Sequence, residues 1–85
     1  MTLVELFSWT EEQFEKKLAG SAIHQIGYER WLRNLAIGLG NAPSSDAVVA
    51  ALRARLDNPA ALVREHVRWA LGQHDFNFRM LSRRQ

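Results

Sequence analysis

Apolar residues recur along this chain at helical spacing, and no stretch alternates convincingly as a strand would. Tyr28, Trp31, Leu32, Leu35, Ala36 and Leu39 follow the i, i+3, i+4, i+7, i+8, i+11 template of an amphipathic helix. Upstream, Thr10-Glu11-Glu12-Gln13 has the form of a capping box, Phe14 and Leu18 lie one turn apart, and Gly20 supplies a stop. Between these helices, Ser21–Gly27 reads as a short helical turn broken at Gly27. The second helix stops in Gly38-Leu39-Gly40-Asn41, and Pro43 forbids continuation. Ser44 or Ser45 then caps a third helix, with Asp46 in its first turn and Val48, Val49, Leu52 and Leu56 as its stripe. Asp57-Asn58-Pro59 is a turn, and Pro59 suits the first position of a fourth helix. Leu62, Val63, His66, Val67, Ala70 and Leu71 line that helix, and Gly72 is expected to end it.

The pattern predicts an all-α fold of two antiparallel helix pairs resembling HEAT repeats, at residues 10–43 and 44–72. Together they form a domain over 1–72, followed by a loosely ordered basic tail at 73–85. Paired helices with a period of about forty residues organise such solenoids, which normally need three or more repeats to be self-sufficient. Two pairs predict an unsatisfied end surface. The apolar lead-in Leu3, Val4, Leu6, Phe7 and Trp9 is the segment expected to form it.

Composition narrows the chemistry. Eighty-five residues without one cysteine exclude a disulfide scaffold, thiol catalysis and any cluster held by this chain's own thiolates. No apolar run reaches the ~20 residues needed to span a bilayer, and Met1–Glu5 lacks the positive start of a secretory signal. The net charge of +2 hides an asymmetry. Residues 1–20 hold four glutamates against two lysines, a balance of −2, whereas residues 21–85 hold nine arginines against five acids, a balance of +4. Arginine is favoured where planar, bidentate contacts to phosphate or carboxylate are made.

Candidate chemistry lies on the arginines. Arg30, Arg33, Asn34 and Ile37 are spaced i, i+3, i+4, i+7, opposite the Trp31/Leu35 stripe. Arg64 and Arg68 are one turn apart on the fourth helix, with Glu65 beside them. Convergence of the two sets would grip phosphate oxygens, with Asn34 and Asn41 as neutral donors. The same pattern also describes a solvated face on which Arg30 and Arg33 pair with Glu29 or Glu65. His24, His66 and His74 have no metal-ligand spacing. His66 is expected in the core with a backbone partner, and His74-Asp75 as polar punctuation past a helix end. Gly38 and Gly40 are read as permitting close helix packing. All three tryptophans could stack on bases, but Trp9 and Trp31 fit the core better; Trp69 lies off the main apolar stripe and is the one to watch.

Longer strings carry a resemblance. Gly20-Ser21-Ala22-Ile23, Gly27-Tyr28-Glu29-Arg30-Trp31-Leu32-Arg33-Asn34-Leu35-Ala36 and Leu39-Gly40-Asn41-Ala42-Pro43 closely resemble the C-terminal region of bacterial epoxyqueuosine reductases. Leu3-x-x-Leu6-Phe7-x-Trp9-Thr10-Glu11-Glu12-x-Phe14 is similar to the segment entering that region, and Leu62-Val63-Arg64-Glu65-His66-Val67-x-Trp69-Ala70 to its closing helix. The likeness covers nearly all of residues 3–72.

The resemblance implies a cytoplasmic enzyme that reduces epoxyqueuosine to queuosine in tRNA, using cobalamin and two [4Fe–4S] clusters bound elsewhere. It implies for this chain the HEAT-like part that helps hold the tRNA anticodon stem-loop, not catalytic by itself and with no cofactor of its own. Arg30, Arg33 and Asn34 fall on the family's Arg-x-x-Arg-Asn word and Arg64 on its Val-Arg-Glu-His word; Asn41 and Arg68 complete the candidate nucleic-acid contacts. The catalytic domain of the parent enzyme would dock through Leu3–Trp9. The alternative expectation is a helical-repeat adaptor that docks another polypeptide through that same apolar end.

Overall fold

The computed structural model describes the backbone of residues 1–83 and the side chains of residues 1–75. Among the described residues the fold is all-α: α1 (Leu3–Phe7), α2 (Glu11–Leu18), a 3-10 turn (Ile23–Ile26), α3 (Tyr28–Asn41), α4 (Asp46–Arg53) and α5 (Ala61–Arg83). None of these helices is long and apolar enough to cross a membrane.

Local chemistry sets most of the ends. The Thr10 hydroxyl accepts from the Gln13 N–H, and the Gln13 side chain accepts from the Thr10 N–H, completing the expected capping box. Ser45, not Ser44, caps α4 by accepting from the Val48 N–H at 3.2 Å. Gly27 opens α3 at φ +89°, ψ 156°, a backbone region essentially reserved for glycine. Pro59 precedes α5 by two residues instead of starting it, because the Asn58 side chain accepts from the Ala60 N–H and turns the chain first.

The lead-in does not lie open. Thr2 caps α1 through the Glu5 N–H, Phe7 is fully buried, and Val4, Leu6 and Trp9 pack against the core. The end surface expected at residues 3–9 is therefore satisfied within this chain, with Leu3 left 40% exposed. Arg55, in the turn after α4, holds it there. Its guanidinium donates to the carbonyls of Phe7 (3.1 and 2.9 Å) and Trp9 (2.8 Å), and lies over the Phe7 and Tyr28 rings. The Tyr28 hydroxyl donates to the same Trp9 carbonyl.

Helix α5 also departs from expectation. It passes through Gly72 and runs to Arg83, so no helix end separates the expected domain at 1–72 from the tail at 73–85. A glycine in a helix costs about 1 kcal/mol relative to alanine. Two residues later, His74 repays this: it is buried within the helix, with one ring nitrogen on the Leu39 carbonyl (2.7 Å) and the other on the Ser44 hydroxyl (2.6 Å). The carbonyl can only accept, so Nε2 carries a proton and donates to it, while Nδ1 shares a hydrogen bond with the Ser44 hydroxyl. The side chains of Phe76, Phe78, Arg79 and Arg83, and all of Arg84, lie outside the described residues.

The core runs between α3 and α5, the most extensive helix contact, with α1 and α4 packed beside it. Leu32, Leu39, Leu52, Val63 and Val67 are fully buried. Phe14 joins α2 to α3 through ring contacts with Trp31 (5.0 Å) and Tyr28 (5.6 Å). At Gly40 the two main helices almost touch: a Cβ there would stand 2.5 Å from Trp69 Cζ3 and 3.1 Å from the Cα and Cβ of Ala70.

Gly40→Ala forces backbone apart and should cost about 1–3 kcal/mol, seen as a lower melting temperature. Gly38→Ala meets only the tip of Leu3 at 3.2 Å and should be neutral or stabilising, since alanine is the better helix former. Burial raises the Tyr28 pKa above its ordinary 10.0, against the opposing charge of Arg55. The unfolded chain then loses its phenolic proton first, so this contribution is intact below pH 10 and is lost as pH rises through the folded value. Tyr28→Phe should abolish that part of the alkaline destabilisation in denaturant titrations.

Candidate nucleic-acid interface

Helical geometry separates the six candidate residues into different roles. On α3, Arg30, Asn34 and Asn41 are exposed along the stripe opposite the buried Leu32, Leu35 and Leu39. Arg33 is half-buried, and its Nε donates to Asn34 Oδ1 at 2.9 Å, which orders the two as one donor-bearing unit. The Arg33 terminal nitrogens make no hydrogen bond or ion pair among the described residues. Neither Arg30 nor Arg33 pairs with Glu29 or Glu65, whereas Lys16 pairs with Glu12 and His24 with Glu15. The solvated face neutralised by its own acids is therefore not what forms.

On α5 the two arginines diverge. Arg64 Nη1 donates to the carbonyls of Asn58 (2.7 Å) and Pro59 (2.9 Å), bracing the turn that leads into its own helix. Arg68, one turn on, is exposed and makes no such bond among the described residues. The carbonyls of the 58–59 turn are within reach of Arg64 because α5 starts only at Ala61. Arg64 is thus a structural brace through that nitrogen, while Arg68 projects outward.

The two helices run side by side in the same direction. Ile37 faces His66 and Trp69, Gly40 faces Trp69 and Ala70, and Leu39 meets His74. Between them lies an open groove lined by Ile37, Glu65, His66 and Trp69. Ile37 is 36% and Trp69 42% exposed, in contrast to the buried Trp31. His66 is half-buried at this groove rather than in the core, and its Nδ1 donates to the Leu62 carbonyl at 2.8 Å. Its backbone partner is as expected; its place at a groove is not. Ile37 and Trp69 both carried a signal in sequence, being apolar residues on otherwise polar helix faces. Nothing comparable marked Glu65 or His66 as groove residues, or Arg55 as the clamp on the first helix.

No group of three or more His, Cys, Asp or Glu stands together to hold a metal among the described residues. A second depression, lined by Ser44, Asp46, Arg53, Leu71 and His74, lies at the start of α4. Its histidine is already held by Ser44 and Leu39.

Comparison with known proteins matches this chain to one stretch of a longer enzyme. It is 62% identical to an epoxyqueuosine reductase of Burkholderia pseudomallei, covering 82% of this chain and 20% of that protein. The counterpart in Pseudomonas aeruginosa is 60% identical, covering 85% and 20%, and that of Escherichia coli 50% identical, covering 84% and 18%. The resemblance carried by the residue strings is borne out, and the chain spans about a fifth of the length of these relatives. No family model and no solved structure matches it.

The different roles of the two α5 arginines predict different stabilities. Arg64→Ala removes two hydrogen bonds to backbone carbonyls and should lower the unfolding free energy by about 1–2 kcal/mol. Arg68→Ala should change it by less than about 0.5 kcal/mol. Thermal or urea denaturation of the two variants measures both.

Proposed function

We propose that this chain is the tRNA-contacting part of an epoxyqueuosine reductase, the enzyme that reduces epoxyqueuosine to queuosine in tRNA. It contributes binding of the anticodon stem-loop, in the cytoplasm, and the reduction takes place on parts of the enzyme outside these residues. With no cysteine, its residues do not fit an iron–sulfur cluster held by thiolates.

One observation carries the reading. Arg30, Arg33 and Arg68 carry guanidinium groups on two adjacent helices with no acidic partner among the described residues, and Trp69 on the second helix is exposed. A guanidinium left unpaired on a folded surface is ready for a planar oxyanion, and phosphate accepts two of its N–H groups at once. Asn34, tied to Arg33, keeps its amide nitrogen for a third donor bond. Phosphate contacts of this kind position an RNA without reading its sequence.

Charge distribution supports the same assignment. Residues 21–75 hold six arginines against five acids, a balance of +1, while residues 76–85 hold Arg79, Arg83 and Arg84 and no acid. Most of the positive excess thus follows the Arg68/Trp69 stretch of the chain. The adaptor reading has less apolar surface to rest on, because Phe7 is buried and Val4, Leu6 and Trp9 pack against the core, with Leu3 left exposed.

Titration with an RNA stem-loop, followed by fluorescence anisotropy at several salt concentrations, tests the proposal. Arg33→Ala and Arg68→Ala should each weaken binding and reduce the slope of log K against log [salt] by roughly 0.7–0.9. Folded variants with an unchanged slope would remove both residues from the interface.

A further inference from the structure

We propose that Asn34 is a positioning residue for Arg33: its side-chain oxygen holds the guanidinium so that the two terminal nitrogens are offered to one RNA phosphate. The inference rests on the RNA-binding reading above and adds to it how the cation is aimed. Arg33 Nε donates to Asn34 Oδ1 at 2.9 Å. Successive residues of a helix lie about 100° apart around its axis, so their side chains ordinarily diverge. A bond between two such neighbours turns both side chains toward each other and limits the rotamers open to the arginine. Arg33 is also half-buried. Arg30, one turn earlier, is exposed and has no hydrogen bond or ion pair among the described residues.

The bond also decides which part of the guanidinium is available. A guanidinium meets an oxyanion bidentately along one of two edges, either Nε with a terminal nitrogen or the two terminal nitrogens together. Asn34 Oδ1 takes Nε and with it the first edge. The terminal pair makes no bond among the described residues, and its two parallel N–H groups match two oxygens of one phosphate. A free arginine side chain has large rotamer freedom that phosphate binding must remove. At Arg33 part of that freedom is already gone in the folded chain, and at Arg30 no bond removes it. The acceptor is a neutral amide oxygen, which orients the guanidinium and leaves its positive charge uncancelled. A carboxylate in its place would hold Nε as well but would offset the charge that draws the phosphate.

A double-mutant cycle on the full chain, titrated with an RNA stem-loop at several salt concentrations, tests the proposal. Asn34→Ala should weaken binding about 2–10-fold with no change in the slope of log K against log [salt], because the amide carries no charge. Its melting temperature should not fall, since alanine is the better helix former. In the Arg33→Ala background the same substitution should weaken binding less than about twofold, because the group it positions is gone. Without RNA, the Arg33 Nε–H resonance should exchange with solvent more slowly than that of Arg30, and Asn34→Ala should speed it. A loss of equal size in both backgrounds makes Asn34 an RNA contact in its own right and overturns the positioning role. So does an Asn34→Ala chain that binds as tightly as the wild type while Arg33→Ala still lowers the slope; both results leave the RNA reading standing. An RNA that fails to bind, or a slope that Arg33→Ala leaves unchanged, removes Arg33 from the interface and takes the positioning role with it.

Discussion

Close approach of α3 and α5 at Gly40 is the contact on which the remaining arrangement depends. Without a side chain there, the two helices come near enough for Ala70 to reach the α3 backbone and for the edge of Trp69 to lie on it. Dispersion between such surfaces is weak per atom pair and large in sum. It draws Leu32, Leu35 and Leu39 of one helix together with Val63, Val67 and Ala70 of the other. The same contact has a second consequence. It fixes Trp69 at the rim of the interface, half in and half out, and so creates the groove.

Around this axis the shorter elements are held by polar clamps to backbone carbonyls. Arg55 reaches back to the carbonyls of Phe7 and Trp9 and ties α1 to the turn after α4. His74 joins α5 to the end of α3 and to Ser44. Arg64 braces the turn before α5. Each clamp adds a donor to carbonyl oxygens at a helix end or turn, where the intrahelical ladder runs out. A chain of this length buries a modest apolar core, so these directed bonds supply the specificity that extra core volume would provide in a larger domain. No buried side-chain polar atom among the described residues is left without a partner.

The arginines divide accordingly into two groups. Arg55 and Arg64 are used inward, on the protein's own carbonyls. Arg30, Arg33 and Arg68 are left outward, and nearby acids do not take them up. The proposed RNA contact thus rests on the guanidinium groups that folding does not consume, on two adjacent helices of which the second carries the exposed Trp69. Its location on two helices locked together at Gly40 makes the surface rigid, which favours binding a structured RNA without a cost of ordering the protein.

The helices themselves were legible along the chain, because amphipathic spacing and capping are local. The Tyr28–Leu39 stripe, the Thr10–Gln13 box and the break at Gly27 all appear where the residues placed them. So did the likeness to epoxyqueuosine reductases, which needs only residue order. The outward placement of Arg30 and Asn34 followed from the same helical period. Tertiary structure decided the rest. The apolar lead-in reads as an open end, yet it folds onto the core once Arg55, 46 residues further along, caps its carbonyls. Gly72 reads as a helix stop, yet the buried bonds of His74 carry the helix past it. Arg64 and Arg68 have the same side chain at helical spacing, and only the position of the 58–59 turn gives one of them an internal partner. In each case a local preference of about 1 kcal/mol is outweighed by contacts between residues distant in sequence, which a one-dimensional pattern does not contain.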